Sequence, residues 1–107
     1  MYKNINKSEI LELKDQVPYQ EGQVVSRTLV QNDSVSITLF AFEKDEEIST
    51  HASGGDALVT VMEGTGKITI EGIEYILETG KSIIMPAGKP HAVYAPERFK
   101  MLLTVVF

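Results

Sequence analysis

The sequence predicts an all-β domain, a sandwich or barrel of short antiparallel strands. Three observations lead there. Short β-branched runs recur along the chain at regular spacing, glycine and proline punctuate them, and no stretch sustains a helical period. In order, Val24 to Val30 is β-branched and stops at the turn signal Asn32-Asp33. Val35, Ile37 and Leu39 alternate with Ser36, Thr38 and Phe40, the period of a half-buried strand. A charged turn covers Glu43 to Glu47, and Ser53-Gly54-Gly55-Asp56 makes a second break. Ala57 to Met62 forms the next strand, closed by Gly64 and Gly66. Ile68 and Ile70 run into Glu71-Gly72, a tight hairpin turn, and Ile73, Tyr75 and Leu77 return from it. Ser82 to Met85 ends at Pro86, Ala87 to Pro90 is a loop, and His91 to Tyr94 is a strand that stops before Pro96.

The terminal run Met101 to Phe107 is apolar on both faces apart from Thr104, so cover is expected on both sides of it. The expected core is Val35, Ile37, Leu39, Val59, Val61, Ile68, Ile70, Ile84, Leu103 and Val105. Residues 1–22 read as an arm and residues 23–107 as the barrel, together one domain, 1–107. Within the arm, Ser8 can cap a short helical turn, or Leu11 and Leu13 can lie in an extended segment; Pro18 ends any helix.

A chain of 107 residues buries roughly two thirds of its unfolded surface, enough for one core without staples. A net charge of −5 with scattered Lys and Arg argues against a nucleic-acid partner, which needs a basic face. The absence of cysteine excludes disulfides, thiolate zinc sites and cysteine nucleophiles. The first residues form no apolar signal segment and no run is long enough to span a bilayer, so the expectation is a cytoplasmic protein without a membrane partner. No Ser-His-Asp order, phosphate-binding glycine loop or basic-aromatic stripe is present.

The chemistry concentrates at the two histidines, His51 and His91. His51 lies ahead of the turn Val61-Met62-Glu63-Gly64-Thr65-Gly66, and His91 ends the series Gly80, Pro86, Gly88, His91. In these two segments the chain resembles the cupin family, and the resemblance runs from about Thr28 to the end. It implies a double-stranded β-helix, a jelly-roll-like barrel of two packed antiparallel sheets. It also implies a barrel mouth where the family places four metal ligands, three histidines and a glutamate. On those positions this chain carries His51, Ser53, Ala57 and His91, so two of the four ligands remain. Asp45 stands for the opening glycine of the first motif and Ala95 for the closing asparagine of the second. Asp56 is one residue from the lost glutamate, but a slip of one along a strand turns a side chain to the opposite face.

The resemblance thus implies a pocket around His51 and His91 lined by Ser53, Ala57, Val59, Val61 and Val93. Two imidazoles make half of a metal site, since a structural zinc takes four ligands and a catalytic one about three plus water. The expected function is binding of a small molecule, or weak, partly occupied binding of a divalent metal (Zn, Mn, Fe or Ni). The reading from a different class is a metal-dependent dioxygenase, isomerase or decarboxylase in the same pocket, and the ligand count stands against it. Without metal, the pair can be hydrogen-bonded polar residues in a damp pocket, or an acid–base pair. Tyr94 stands next to the pocket as a candidate hydrogen-bond donor, and Met62, Met85 and Met101 read as core fillers. The expected assembly is a homodimer. Small relatives pair through a sheet edge and the N-terminal arm, and Ile10, Leu11 and Leu13 are apolar residues that a small barrel does not easily bury alone. The alternative is an arm folded back over its own sheet.

Overall fold

A computed structural model describes residues 1–107. Nine strands follow one 3₁₀ turn at Leu13–Gln16: β1 (Val24–Gln31), β2 (Val35–Phe42), β3 (Glu47–His51), β4 (Asp56–Glu63), β5 (Thr65–Ile70), β6 (Ile73–Glu78), β7 (Ser82–Met85), β8 (His91–Tyr94) and β9 (Phe99–Val106). They form a five-stranded sheet in the order β1-β2-β9-β4-β7 and a four-stranded sheet in the order β3-β8-β5-β6. Every pairing is antiparallel. The expected all-β, two-sheet architecture is therefore the observed one.

Two turns show why the chain reverses where it does. Glu71 (φ 50°) and Gly72 (φ 81°) both lie in the left-handed region, the conformation of a two-residue hairpin, which glycine enters without strain. Asp45 has φ 69°, so the residue standing for a family glycine does adopt glycine's conformation, as aspartate can.

The main core lies between the sheets. Phe42 and Phe99 stack there with centroids 4.7 Å apart, surrounded by Val59, Val61, Ile68, Leu77 and Met101. Of the expected core, Val59, Val61, Ile68, Ile70 and Val105 belong to this cluster, and Leu103 packs against it. Leu39 is fully buried, but in a second cluster on the outer face of the larger sheet, with Val17, Leu29 and Ala41; Ile37 packs partly buried against it, and Val35 on the same strand is half-buried. The phase of β2 is thus opposite to the expected one. Phe42 belongs to the interior cluster and Phe40 packs against it, while the Ile37-Leu39 face lies outside. Alternation shows which face is the more apolar and so covered, but not whether the interior or the arm covers it. Ile84 is a plain correction: it is 56% exposed, and its neighbours Ile83 and Met85 face the core instead.

The arm covers that outer face. Ile5, Leu13 and Tyr19 pack on the second cluster. The Lys3 amide donates to Leu29 O at 2.8 Å, and Lys100 Nζ donates to Lys14 O at 2.7 Å. Tyr19 Oη donates to Glu63 at 2.6 Å, while Arg98 and Lys100 approach its ring at 5.2 and 4.7 Å. Burial, with Glu63 beside it, pushes the Tyr19 phenol well above its usual range, so it stays a donor. The helical turn begins after Glu12 and has no side-chain cap; Ser8 lies outside it with φ 58°. Fold-back thus accounts for cover on one part of the sheet. Ile10, Leu58, Ile84 and Val106 remain exposed.

Candidate functional site

The site grows out of the pairing of β3 with β8. Their register sets His51 directly opposite His91, so residues forty positions apart become cross-strand neighbours. The Nε2 atoms are 3.2 Å apart, and the rings meet edge to face with centroids at 4.4 Å. His91 is 3% exposed, whereas His51 stands at the open end of β3.

The other ring nitrogens assign a tautomer to each neutral ring. His51 Nδ1 is 2.8 Å from Ser49 O, and His91 Nδ1 is 3.2 Å from Lys89 O. A backbone carbonyl oxygen can only accept, so each Nδ1 carries the proton and donates it. Both Nε2 atoms are then lone-pair acceptors turned toward one another. With both rings neutral, a proton, a donor or a cation between the two Nε2 atoms would relieve that contact.

Beside it lies a cavity of about 300 Å³ between the sheets, at the lower end of the range for small-molecule pockets, roughly 300–1,000 Å³. Its polar wall is His51, His91 and Ser53, with Ala52 and Ala57 alongside. The apolar wall comes from Phe40, Ile48, Met85 and Val93, and from Met101, Leu103 and Val105 on β9. Of the expected pocket residues, Ser53, Ala57 and Val93 line this cavity with the two histidines, whereas Val59 and Val61 do not; they pack deeper along β4 in the main core. Phe40, Met85 and Met101 were missed. Phe40 would have been found by reading β2 in the opposite phase.

Several neighbouring side chains have hydrogen bonds of their own. Asp56 accepts from the Ala87 amide at 2.8 Å and so holds the loop ahead of β8. The Ser53 hydroxyl oxygen accepts from the Gly55 amide at 3.2 Å, and Ser53 O accepts from the Gly88 amide at 2.8 Å, which ties the two motif loops together. Tyr94 is a correction. Its hydroxyl donates to Asp45 at 2.6 Å, away from the cavity, and Lys67 Nζ lies 5.0 Å from its ring. A wider, more open cleft of about 560 Å³ between β6 and β7 is half polar, with Glu74, Glu78, Lys81 and Ser82, and half apolar, with Tyr75, Ile76, Leu77 and Ile83.

Burial, and then the neighbouring His51 ring, pushes the His91 imidazole below its usual range. The unfolded chain therefore binds this proton more readily than the folded one. Stability that is present above about pH 6.5 is lost as pH falls through the native His91 midpoint. Proton NMR reads the His91 midpoint, with His51→Ala showing which of the two imidazole signals is which. His91 should titrate below about 6.5, and a midpoint at or above that value would contradict its burial.

Two packed antiparallel sheets in this order define a double-stranded β-helix barrel. Comparisons with known proteins agree on that class. The family model of the cupin domain matches residues 38–107. A conserved protein of unknown function from Streptococcus pyogenes is 46% identical, over 98% of this chain and 92% of that one, with a TM-score of 0.96. A cupin superfamily protein from Desulfitobacterium hafniense is 33% identical, over 100% of this chain and 98% of that one, with a TM-score of 0.95. A cupin 2 conserved barrel domain protein from Leptotrichia buccalis is 43% identical over 91% of this chain, which spans 47% of that longer chain, with a TM-score of 0.89. No curated protein matches the sequence. This chain belongs to the cupin family.

No helix is long and apolar enough to cross a membrane.

Proposed function

We propose that this cupin is a small-molecule-binding protein, with the interior cavity as its site and the His51–His91 pair as the polar anchor. The observation that carries the reading is the joining of an apolar chamber to one pair of converging acceptors. Apolar walls supply affinity and a few fixed polar groups supply orientation.

Metal binding is the second reading, and the pair's geometry favours a limited form of it. Two bonds of ~2.1 Å meeting at one ion at about 100° span the observed nitrogen separation. Each imidazole already donates its other N–H to a carbonyl, the outer-shell arrangement of ligating histidines. The donor set stops there, because no group of three His, Asp or Glu side chains is assembled anywhere in the chain. These residues fit weak, water-completed binding of a divalent ion and do not fit a tightly held resident cofactor, so no step is routed through one.

The test uses methyl NMR on the full chain. Met85 and Met101 line the cavity, whereas Met1 and Met62 lie outside it and serve as references. Toluene and p-cresol, as small aromatic probes, should shift the first two methyls selectively. If neither probe moves them, the binding reading is wrong.

The same proposal includes a homodimer. The outer face of the larger sheet keeps Leu58 and Ile84 exposed side by side in register, with Ile10 projecting from the arm beyond the cover the arm provides. A twofold contact buries this patch on both chains at once. Light scattering should report about twice the chain mass of 11.8 kDa, and Ile84→Glu should halve it. A mass of one chain for the unmodified protein removes the dimer.

A further inference from the structure

The reading of the cavity as a small-molecule site leaves open which chemistry it selects, and the lining narrows that choice. The two Nε2 atoms are acceptors, 3.2 Å apart, with their donor capacity already spent on Ser49 O and Lys89 O. A ligand head that only accepts finds no partner at the pair. A head that donates finds an acceptor there: a hydroxyl has one proton for one Nε2, and a primary amine has two, one for each.

Charge narrows it further. No Lys, Arg, Asp or Glu lines the cavity. While both imidazoles are neutral, a carboxylate or phosphate would lose its hydration there without gaining a counter-charge, and an ammonium ion would meet no carboxylate. The ligand is therefore neutral. Its body must suit an apolar wall in which Phe40, Met85 and Met101 offer a ring and two thioethers, groups that favour aromatic partners. A cavity of about 300 Å³ admits one ring with small substituents and not a multi-ring compound.

We propose that this cavity selects a small neutral aromatic molecule with one hydrogen-bond-donating head, a phenolic hydroxyl that donates to His51 Nε2 or an aryl amine that donates to both histidines, with its ring against Phe40, Met85 and Met101. The inference rests on the small-molecule reading and adds the ligand class.

Three probes of nearly equal shape separate the alternatives: p-cresol, toluene and p-toluate, titrated into the full chain at pH 8 and followed at the Met85 and Met101 methyls. We expect p-cresol to bind at least about tenfold more tightly than either of the others, the difference one well-made hydrogen bond supplies. His51→Ala supplies the second arm. His51 is exposed at a strand end, so the fold tolerates its loss. Whatever its overall affinity, the variant should bind p-cresol and toluene nearly equally, losing most of the p-cresol advantage. If p-toluate binds most tightly, or toluene equals p-cresol, the ligand class is wrong and the binding cavity stands. An advantage of p-cresol that survives unchanged in His51→Ala also overturns it. If none of the three probes moves the two methyls, the binding reading itself fails and takes this inference with it.

Discussion

Truncating Phe99 to alanine should cost about 3–5 kcal/mol of folding stability. That is a large part of the roughly 5–15 kcal/mol that holds a domain of this size together. Phe99 opens β9, is fully buried, and stacks on Phe42 at 4.7 Å with the rings 14° from parallel. The backbone is built to receive it. A Cβ on Gly66 would lie 2.6 Å from the Phe99 ring, so β5 passes at a distance only glycine allows. At Gly64, φ is +74° and a Cβ would sit 2.3 Å from Arg98 O, a contact that backbone cannot relieve. The Glu-Gly-Thr-Gly turn is therefore a socket for one aromatic ring, and this explains two glycines that the sequence showed only as punctuation. Gly66→Val should approach the Phe99→Ala cost from the opposite direction, by overfilling the same space. Urea unfolding followed by circular dichroism measures both. A loss under about 1 kcal/mol for Phe99→Ala would mean that the stack is not a keystone of the core.

Most of the architecture could be read from the sequence because it rests on local chemistry. The turns at Asp45 and Glu71-Gly72 were legible because few residues tolerate positive φ. The histidine pair was legible through motif spacing, and strand pairing then set the two opposite each other. What escaped was the assignment of faces. In β2 alternation pointed to the Val35-Ile37-Leu39 face, but the arm covers that face, while Phe40 and Phe42, on the face that also carries Ser36 and Thr38, meet the interior; covered is not the same as interior. In β7 a four-residue strand, Ser82-Ile83-Ile84-Met85, offers two adjacent isoleucines and hides which is exposed. The same ambiguity placed Val59 and Val61 at the pocket: they share the inward face with Ala57, but depth along β4 is a tertiary property. Tyr94 escaped for a related reason. Neighbours in β8 point to opposite sides, and the partner that claims its hydroxyl, Asp45, is forty-nine residues away.

Restoring two side chains should turn the half-site into a metal centre. Ser53 and Ala57 line the same cavity as His51 and His91, at the positions where the family resemblance places a histidine and a glutamate. In the double variant Ser53→His/Ala57→Glu, four donors, three imidazoles and a carboxylate, would face one point. Zinc affinity should then rise by at least about a thousandfold over the present chain, some 4 kcal/mol. The change carries a cost that makes the test sharper. Ala57 is 1% exposed, so a carboxylate there without metal is buried charge, and the metal-free variant should melt below the parent. Binding reverses this, because an ion held by the folded state alone stabilises it by mass action. Saturating zinc should therefore raise the variant's melting temperature well above its own metal-free value, while the parent, with two donors, shifts little. Calorimetric titration gives the affinity and thermal melts give the coupling. A double variant that folds, yet binds zinc no better than the parent, would show that positions 53 and 57 do not converge on the histidine pair, and that the cavity lost more than two ligands when it departed from the four-ligand pattern.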